Sequence, residues 1–279
     1  MRMARIKRAL KILFGPKGGP TLEITTIFPC VNRCRDCPQD AWRRAYTGKA
    51  RLTFAEFQLL LKKIPKRVRL DFSGFSEPFA NPEASLMMRH AVEQGYRVAL
   101  FTTLVGFKSR DLDRLRGLHI YPCAVHLPDD TNFKVPDEDR WLETFRLFSR
   151  HIPYDEAVYH SGTVSATIRQ AVQTEKVQVR PLYSRANNAD QTIVDRLPRQ
   201  TGPISCKTSG NRFDQNVMMP NGDVYLCCMD WSLQHCLGNL FEASYEQLHQ
   251  GDLYKTICNS MQDESIEVIC RYCARCKDK

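Results

Sequence analysis

Three cysteines, Cys30, Cys34 and Cys37, stand in a C-x3-C-x2-C pattern just after Leu22 to Phe28, a stretch whose threonine and isoleucine content reads as a β-strand. The chain has 12 cysteines in all, with a second group, Cys270, Cys273 and Cys276, near its end. A secreted disulfide scaffold fits small extracellular domains. It fails here on the length of 279 residues and on the first thirty residues, which hold no continuous apolar stretch and no small-residue cleavage site. The expected location is therefore the cytoplasm, where closely spaced thiols usually mean metal. Structural zinc takes four protein ligands in a closed tetrahedron and draws them from paired C-x2-C units. Three thiolates on one short loop can instead hold three irons of a cubane and leave the fourth iron open to a ligand that is not protein.

Around that loop, strand and helix signals alternate. Thr53 with Glu56 forms a capping box before the helical stripe Phe54, Phe57, Leu60, Leu61 and Ile64. Strands are expected at 68–72, 96–103, 121–127, 157–159 and 177–182, and helices at 82–94, 111–115, 138–148 and 164–172. About six strand and helix units in series predict an α/β fold with a parallel sheet, which right-handed crossovers curl into an open barrel. Ligands bind such folds at the carboxyl edge of the strands, where the cysteine loop sits.

The pattern changes near residue 185. Residues 186–202 are polar and proline-bearing, a linker. Beyond it, 216–219 and 223–226 flank Asn221-Gly222, a hairpin turn signal, and one helix is expected at 244–250. The expected organisation is a basic segment over 1–20, a barrel over 21–185, the linker, and a small α+β domain over 203–279. The net charge is +9, and Arg2, Arg5, Lys7, Arg8, Lys11 and Lys17 supply most of it with no acid among them. Met3, Ile6, Leu10 and Leu13 fall at helical spacing, which predicts a short amphipathic helix, packed on the body or laid on a lipid surface or a nucleic acid. No apolar run of 18 residues exists, so no transmembrane segment is expected.

The loop after the first strand resembles that of the radical S-adenosylmethionine (radical SAM) enzymes. The resemblance implies a partial (β/α)6 barrel in which Cys30, Cys34 and Cys37 ligate a 4Fe-4S cluster whose open iron takes S-adenosylmethionine. It also implies a low-potential electron donor such as flavodoxin or ferredoxin. Ser73-Gly74-Phe75-Ser76-Glu77-Pro78 ends the second strand, where the family places a segment closing in Glu-Pro that holds the methionine amino group. By that resemblance Gly74, Ser76 and Glu77 are cofactor-binding, and Thr102 and Thr103 face the nucleoside or substrate. The residue before the third cysteine, commonly aromatic in the family, is Asp36. His126 and Asp129, after the fourth strand, are placed to contact substrate or to serve the fold.

The C-terminal part resembles the auxiliary-cluster extension of the same family, named SPASM in its longer form and twitch in its shorter. The matching residues are Cys206, Gly222 with Cys227 five residues later, Leu237 to Leu240, and Cys270 with Cys273, preceded by Ser184-Arg185-Ala186. This implies one auxiliary 4Fe-4S cluster on Cys206, Cys227, Cys270 and Cys273, with Cys276 and Cys228 as alternates. A zinc ribbon from the same thiolates is the other reading. Cys123, Cys236 and Cys258 read as lone, buried small hydrophobes. The expected activity is radical chemistry on a small hydroxylated or amino compound, an oxidation or a rearrangement. A peptide or protein target comes second and a nucleotide or nucleic-acid base third. A non-enzymatic iron-sulfur or zinc protein needs neither the Glu-Pro loop nor the barrel.

Overall fold

The structure, a computed structural model, describes residues 19–279. The amphipathic segment of Met3, Ile6, Leu10 and Leu13 lies outside them. Apolar residues two apart on short strands are what join the sheet. Leu22 and Ile24 on β1 (Thr21–Ile24), Leu70 and Phe72 on β2 (Arg69–Phe72), and Val98 and Leu100 on β3 (Val98–Thr102) are all buried in one core. β4 (Ile120–His126), β5 (Glu156–Tyr159) and β6 (Val177–Val179) follow in chain order, and all six strands are parallel, as expected for the partial barrel.

Helices cover the outer face. After α1 (Gln39–Ala45), α2 (Phe54–Leu61) begins at the expected capping box, with the Glu56 amide donating to Thr53 Oγ1 at 3.3 Å and the Thr53 amide to Glu56 Oε2 at 2.9 Å. The helices α3 (Ala84–Glu93), α4 (Ser109–Leu115), α5 (Glu138–His151) and α6 (Ala166–Ala171) complete the layer. On α5, Trp141, Leu142, Phe145 and Phe148 form the buried stripe. The opposite face of the strands carries polar groups, including Glu23 and a paired Arg69 and Asp71. That pair is bidentate, 2.6 Å from Nε to Oδ1 and 2.7 Å from Nη2 to Oδ2, which is what permits both charges to be buried.

Beyond 186–202, which hold no helix or strand, the sheet resumes on its other edge. β7 (Ile204–Cys206) stands apart, whereas β8 (Gln215–Met218) pairs in parallel with β1, Thr21 opposite Gln215 and Ile24 opposite Met218. The expected hairpin then forms, β8 with β9 (Asp223–Tyr225), and β10 (Cys236–Asn239) follows to make one nine-stranded sheet. Gly222 turns the hairpin at φ +86°, and a Cβ there would stand 2.6 Å from the Phe241 ring. Buried Asn216 locks this arm: its Nδ2 donates to the Phe213 and Leu226 carbonyls, and its Oδ1 accepts from the Tyr245 hydroxyl at 2.7 Å.

Two helices differ from expectation. α1, between the cysteine loop and Tyr46, has one large apolar residue, Trp42, and so lacks a periodic stripe. In the C-terminal part α7 (Tyr245–Leu248) is the expected helix, but α8 (Asp252–Ser260) follows it from Gly251 with Ile257 as its buried apolar anchor. β11 (Cys276–Asp278) closes on β7 as a two-stranded antiparallel sheet. Among the described residues no helix is long and apolar enough to cross a membrane.

Arg271, fully buried, ties these pieces together. Its Nη1 donates to the Gln200 and Gly202 carbonyls at 2.9 and 3.1 Å, and its Nη2 to the Ser260 carbonyl at 2.6 Å. Arg271→Met leaves the buried Ser260 carbonyl and the part-buried Gln200 and Gly202 carbonyls without this donor and is expected to cost about 3 kcal/mol or more in urea unfolding. A loss under about 1 kcal/mol would show that water replaces the guanidinium.

Candidate iron-sulfur and ligand-binding sites

The chain leaves β1 through Thr25 and Thr26, both fully buried, and turns into the cysteine loop at the carboxyl edge of the sheet. The loop is held from several sides. The Asn32 Nδ2 donates to Thr103 Oγ1 at 2.9 Å, the Gln39 Nε2 to the Asn32 carbonyl at 3.1 Å, and the Arg35 and Asp36 amides to the carbonyl and Oδ1 of Asn132. Behind it lies an aromatic cluster in which Phe75 stacks on Trp231 at 4.1 Å and Trp42 packs edge-on against both. Cys30, Cys34 and Cys37 line one cavity of about 200 Å³. Burial raises all three thiols, and Cys34 and Cys37 are raised further by neighbouring thiols, Cys37 to about 12. Thiols so crowded ionise when a metal supplies the positive charge.

The same cavity gathers Gly74, Ser76, Glu77, Thr102, Thr103, His126 and Asp129. Their engagements differ. Ser76 Oγ is buried with no hydrogen-bond partner, an orphaned polar atom of the kind a polar ligand satisfies. Glu77 Oε1 accepts from the Phe79 amide and Thr102 Oγ1 at 3.1 and 2.7 Å, and its Oε2 from the amide and hydroxyl of Thr103 at 2.7 and 2.6 Å. Burial pushes this carboxyl above its usual range against the pull of those donors. Its amide in turn donates to Cys30 Sγ at 3.3 Å. Glu77, Thr102 and Thr103 thus form a clamp between β3 and the cysteine loop, and a ligand cation meets a carboxylate that already has four donors.

Gly74 takes φ +66°, and a Cβ would lie 2.2 Å from Thr25 Oγ1, so the backbone it admits is that of the residue after β1. Asp129 Oδ1 accepts from the Thr131 and Asn132 amides at 2.8 and 2.6 Å, which commits it to its own turn. Asp36 accepts from the Ser161 hydroxyl at 3.2 Å on the cavity wall. His126 stacks on His160 at 5.7 Å, and burial, then His160 and the cations Arg180 and Arg185, lower it to about 3. Trp231, His160 and Arg185 also line the cavity; the sequence offered no signal for Trp231 or His160, and it marked Arg185 only as part of the Ser184-Arg185-Ala186 segment before the C-terminal domain. Residues 185–187 all take positive φ, +51°, +51° and +62°, which turns Arg185 toward this space.

A second, smaller cavity of about 70 Å³ collects Cys206, Cys227, Cys228, Cys270, Cys273 and Cys276. Successive turns, Cys273 amide to Cys270 carbonyl and Cys276 amide to Cys273 carbonyl, bring the last three thiols to one side, and β11 sets Cys276 opposite Cys206. Burial raises most of these thiols. At Cys206 donors from Ser209 and Thr208 outweigh burial and lower it, which marks the thiol readiest to ionise. Cys228 instead meets Glu23 and Arg185. Among the described residues no three such groups converge on a single ion; the thiols line cavity walls. Cys123 is buried as expected, while Cys236 and Cys258 are half-buried, the latter beside Tyr254.

Glu77→Gln puts an amide where Thr102 and Thr103 donate. It is expected to lower the stability of the cofactor-free protein by about 1–3 kcal/mol in urea unfolding; an unchanged midpoint would refute the clamp. His126 is neutral when folded at pH values where the unfolded chain takes up a proton. Its contribution to stability is therefore complete above about pH 6.5 and lost as pH falls toward 3. His126→Gln is expected to flatten that acid slope by about 1 kcal/mol per pH unit, read from urea midpoints across the range.

A family profile described as "SPASM: Iron-sulfur cluster-binding domain" matches residues 206–277. No curated protein sequence matches the chain. Among solved structures, BtrN in complex with AdoMet and 2-DOIA is similar over 93% of each chain, at 14% identity and TM-score 0.59. Streptococcus suis SuiB bound to precursor peptide SuiA is similar over 97% of this chain and 72% of its own, at 13% identity and TM-score 0.63. The enzyme anSMEcpe with bound AdoMet is similar over 91% and 83%, at 12% identity and TM-score 0.54. The chain thus carries a SPASM iron-sulfur cluster-binding domain over residues 206–277, on the fold of the radical SAM enzymes.

Proposed function

We propose that the protein is a radical SAM enzyme acting on a small hydroxylated or amino compound, with an auxiliary 4Fe-4S cluster that takes an electron from the substrate during an oxidation. One observation carries this reading: Cys30, Cys34 and Cys37 share a cavity with the orphaned Ser76 hydroxyl and the Glu77 clamp at the carboxyl edge of the sheet. Bound there, a 4Fe-4S cluster with S-adenosylmethionine supplies a 5'-deoxyadenosyl radical able to remove a hydrogen atom. The chain's own part is to hold and shield. The three thiolates anchor the cluster, Ser76 and the Glu77 charge face the methionine end, and Phe101, Leu127 and Val158 line the cavity and keep water out. Neutral His126 and His160 add no charge of their own to the cavity near neutral pH.

For the auxiliary cluster the proposed ligands are Cys206, Cys227, Cys270 and Cys273, with Cys276 the alternate. BtrN, alike along both chains, was solved with a small molecule, which supports the substrate class. SuiB, solved with a precursor peptide, supports a peptide target as the second reading.

Replacing Cys30, Cys34 and Cys37 by alanine is expected to leave a folded protein that keeps auxiliary iron and forms no 5'-deoxyadenosine with dithionite. Continued cleavage of S-adenosylmethionine would overturn the assignment. Cys206→Ala with Cys227→Ala is expected to preserve cleavage, and transfer of substrate deuterium into 5'-deoxyadenosine, while abolishing the oxidised product. Normal turnover in that variant would favour a redox-neutral rearrangement.

A further inference from the structure

Among the described residues that line the ligand cavity, Arg185 is the one arginine or lysine. Its hydrogen bonds run through its backbone carbonyl, and among the described residues its guanidinium is in no ion pair. The charge reaches the walls around it. Burial first and then Arg185 lower His160, and Glu23 on β1 lies in the same field without pairing. The acids that line the cavity are engaged elsewhere: Glu77 with four donors, Asp129 with the amides of its own turn, and Asp36 with the Ser161 hydroxyl.

A surface arginine without a partner is ordinary, but this one stands on a backbone fixed beneath it. Arg185, Ala186 and Asn187 take φ of +51°, +51° and +62°, a left-handed run that side-chain-bearing residues enter at a cost and that only surrounding contacts maintain. Those contacts are present on both sides. Asn188 Nδ2 donates to the Arg185 and Met229 carbonyls at 2.8 and 3.2 Å, and the Ala189 amide to the Ser184 carbonyl at 3.0 Å. Asn187 exchanges two bonds of 2.9 Å with the backbone of Leu197. None of these uses the guanidinium. The turn positions the side chain, and the side chain does not hold the turn.

A second group points to a ligand. His160 lines the same cavity, and its Nδ1 is buried with no hydrogen-bond partner. The ring's contact with the Arg180 backbone favours the imidazolium, so it uses a ring N–H as donor, and the neutral ring then offers Nδ1 as a bare acceptor. A guanidinium takes an oxyanion by two parallel N–H bonds. A bare imidazole nitrogen takes a hydroxyl or ammonium hydrogen.

We propose that Arg185 and His160 form the substrate subsite of this cavity, and that the substrate is a hydroxy or amino compound bearing an oxyanion, its carboxylate or phosphate seated on Arg185 and its hydroxyl or ammonium on His160 Nδ1. The inference rests on the radical SAM reading and narrows its substrate class. S-adenosylmethionine also carries a carboxylate, so the test separates that source from the substrate's.

The test uses the reconstituted holoenzyme saturated with S-adenosylmethionine, and reads binding by ligand-observed NMR. The probes are lactate and glycerol 3-phosphate, with methyl lactate and glycerol as their uncharged counterparts. The wild type is expected to bind at least one of the two anions about tenfold or more tightly than its counterpart. Which anion shows the preference tells a carboxylate site from a phosphate site. Arg185→Gln is expected to erase the preference and Arg185→Lys to keep part of it. Arg146→Gln, on the exposed face of α5, is expected to keep all of it, which separates the subsite from general attraction to a chain of net charge +9. His160→Phe is expected to weaken lactate at least threefold and to leave acetate, which has no hydroxyl, as in the wild type. Wild-type binding that ignores charge, no detectable binding of either anion, a preference that survives Arg185→Gln, or an equal loss in Arg146→Gln would overturn the proposal. So would a fall in S-adenosylmethionine affinity in Arg185→Gln with the anion preference intact, since the guanidinium would then serve the cofactor's carboxylate. If dithionite yields no 5'-deoxyadenosine from the wild type, the functional reading fails, and the charge preference still decides the subsite.

Discussion

The position of β1 between two parallel neighbours, β2 and β8, sets where everything else must go. Its carboxyl end launches the cysteine loop. Its other neighbour, β8, turns back through Gly222 into antiparallel β9, so Cys227 leaves that hairpin near the level of the amino end of β1. The two thiol sites therefore lie toward opposite ends of one strand pair, about 10 Å or more apart along it at roughly 3.3 Å per residue. Sequence distance would not suggest this, because the link is made by hydrogen bonds between residues 21–24 and 215–218.

What lies between the sites follows from the same pairing. Strand alternation turns Leu22 and Ile24 outward to the helices and leaves Glu23 on the other face, where it meets Cys228 and Arg185. Burial, then the Asp71 charge, lifts Glu23 to about 7. Cys228 lines the auxiliary cavity, Arg185 lines the ligand cavity, and Trp231, three residues after Cys228, stacks on Phe75 behind the first cysteine loop. The segment from Cys227 to Trp231 is thus shared by the walls of both sites.

The features legible in the sequence were those whose chemistry is local. Cysteine spacing, the Thr53 and Glu56 box and the Asn221-Gly222 turn each act over a few residues, and each stands where expected. The six parallel strands were readable because buried strands need apolar residues at a period of two. The helix α1 was not, since one tryptophan makes no period, nor was α8, whose buried anchor is Ile257. The Glu77 clamp was hidden for another reason. Its donors, Thr102 and Thr103, come from the next strand, and only the register of β2 against β3 brings them within reach. His160 and Trp231 likewise arrive at the cavity by tertiary placement, from residues that carry no motif, whereas Arg185 belongs to the Ser184-Arg185-Ala186 segment and only its place in the cavity wall was hidden.

The contrast between the two cavities bears on what each is for. The larger has an orphaned hydroxyl, two histidines, a carboxylate clamp and Arg185, groups able to orient a polar molecule by hydrogen bonds. The smaller, about 70 Å³, is closed by Phe213, Leu226 and Met229 around six thiols. Six thiols are more than the four that would complete a 4Fe-4S cluster, and the polar groups beside them are few: Thr208, Ser209, Gln215 and Arg275. A buried cluster with all its irons held by protein has electron transfer open to it and substrate ligation closed. The one thiol of the six held below its ordinary range, Cys206, is the one held by Thr208 and Ser209 donors. Hydrogen bonds to cluster sulfur are a known lever on reduction potential, so under the proposed function these two residues, rather than the cysteines themselves, are where the chain would tune how readily the auxiliary cluster accepts an electron.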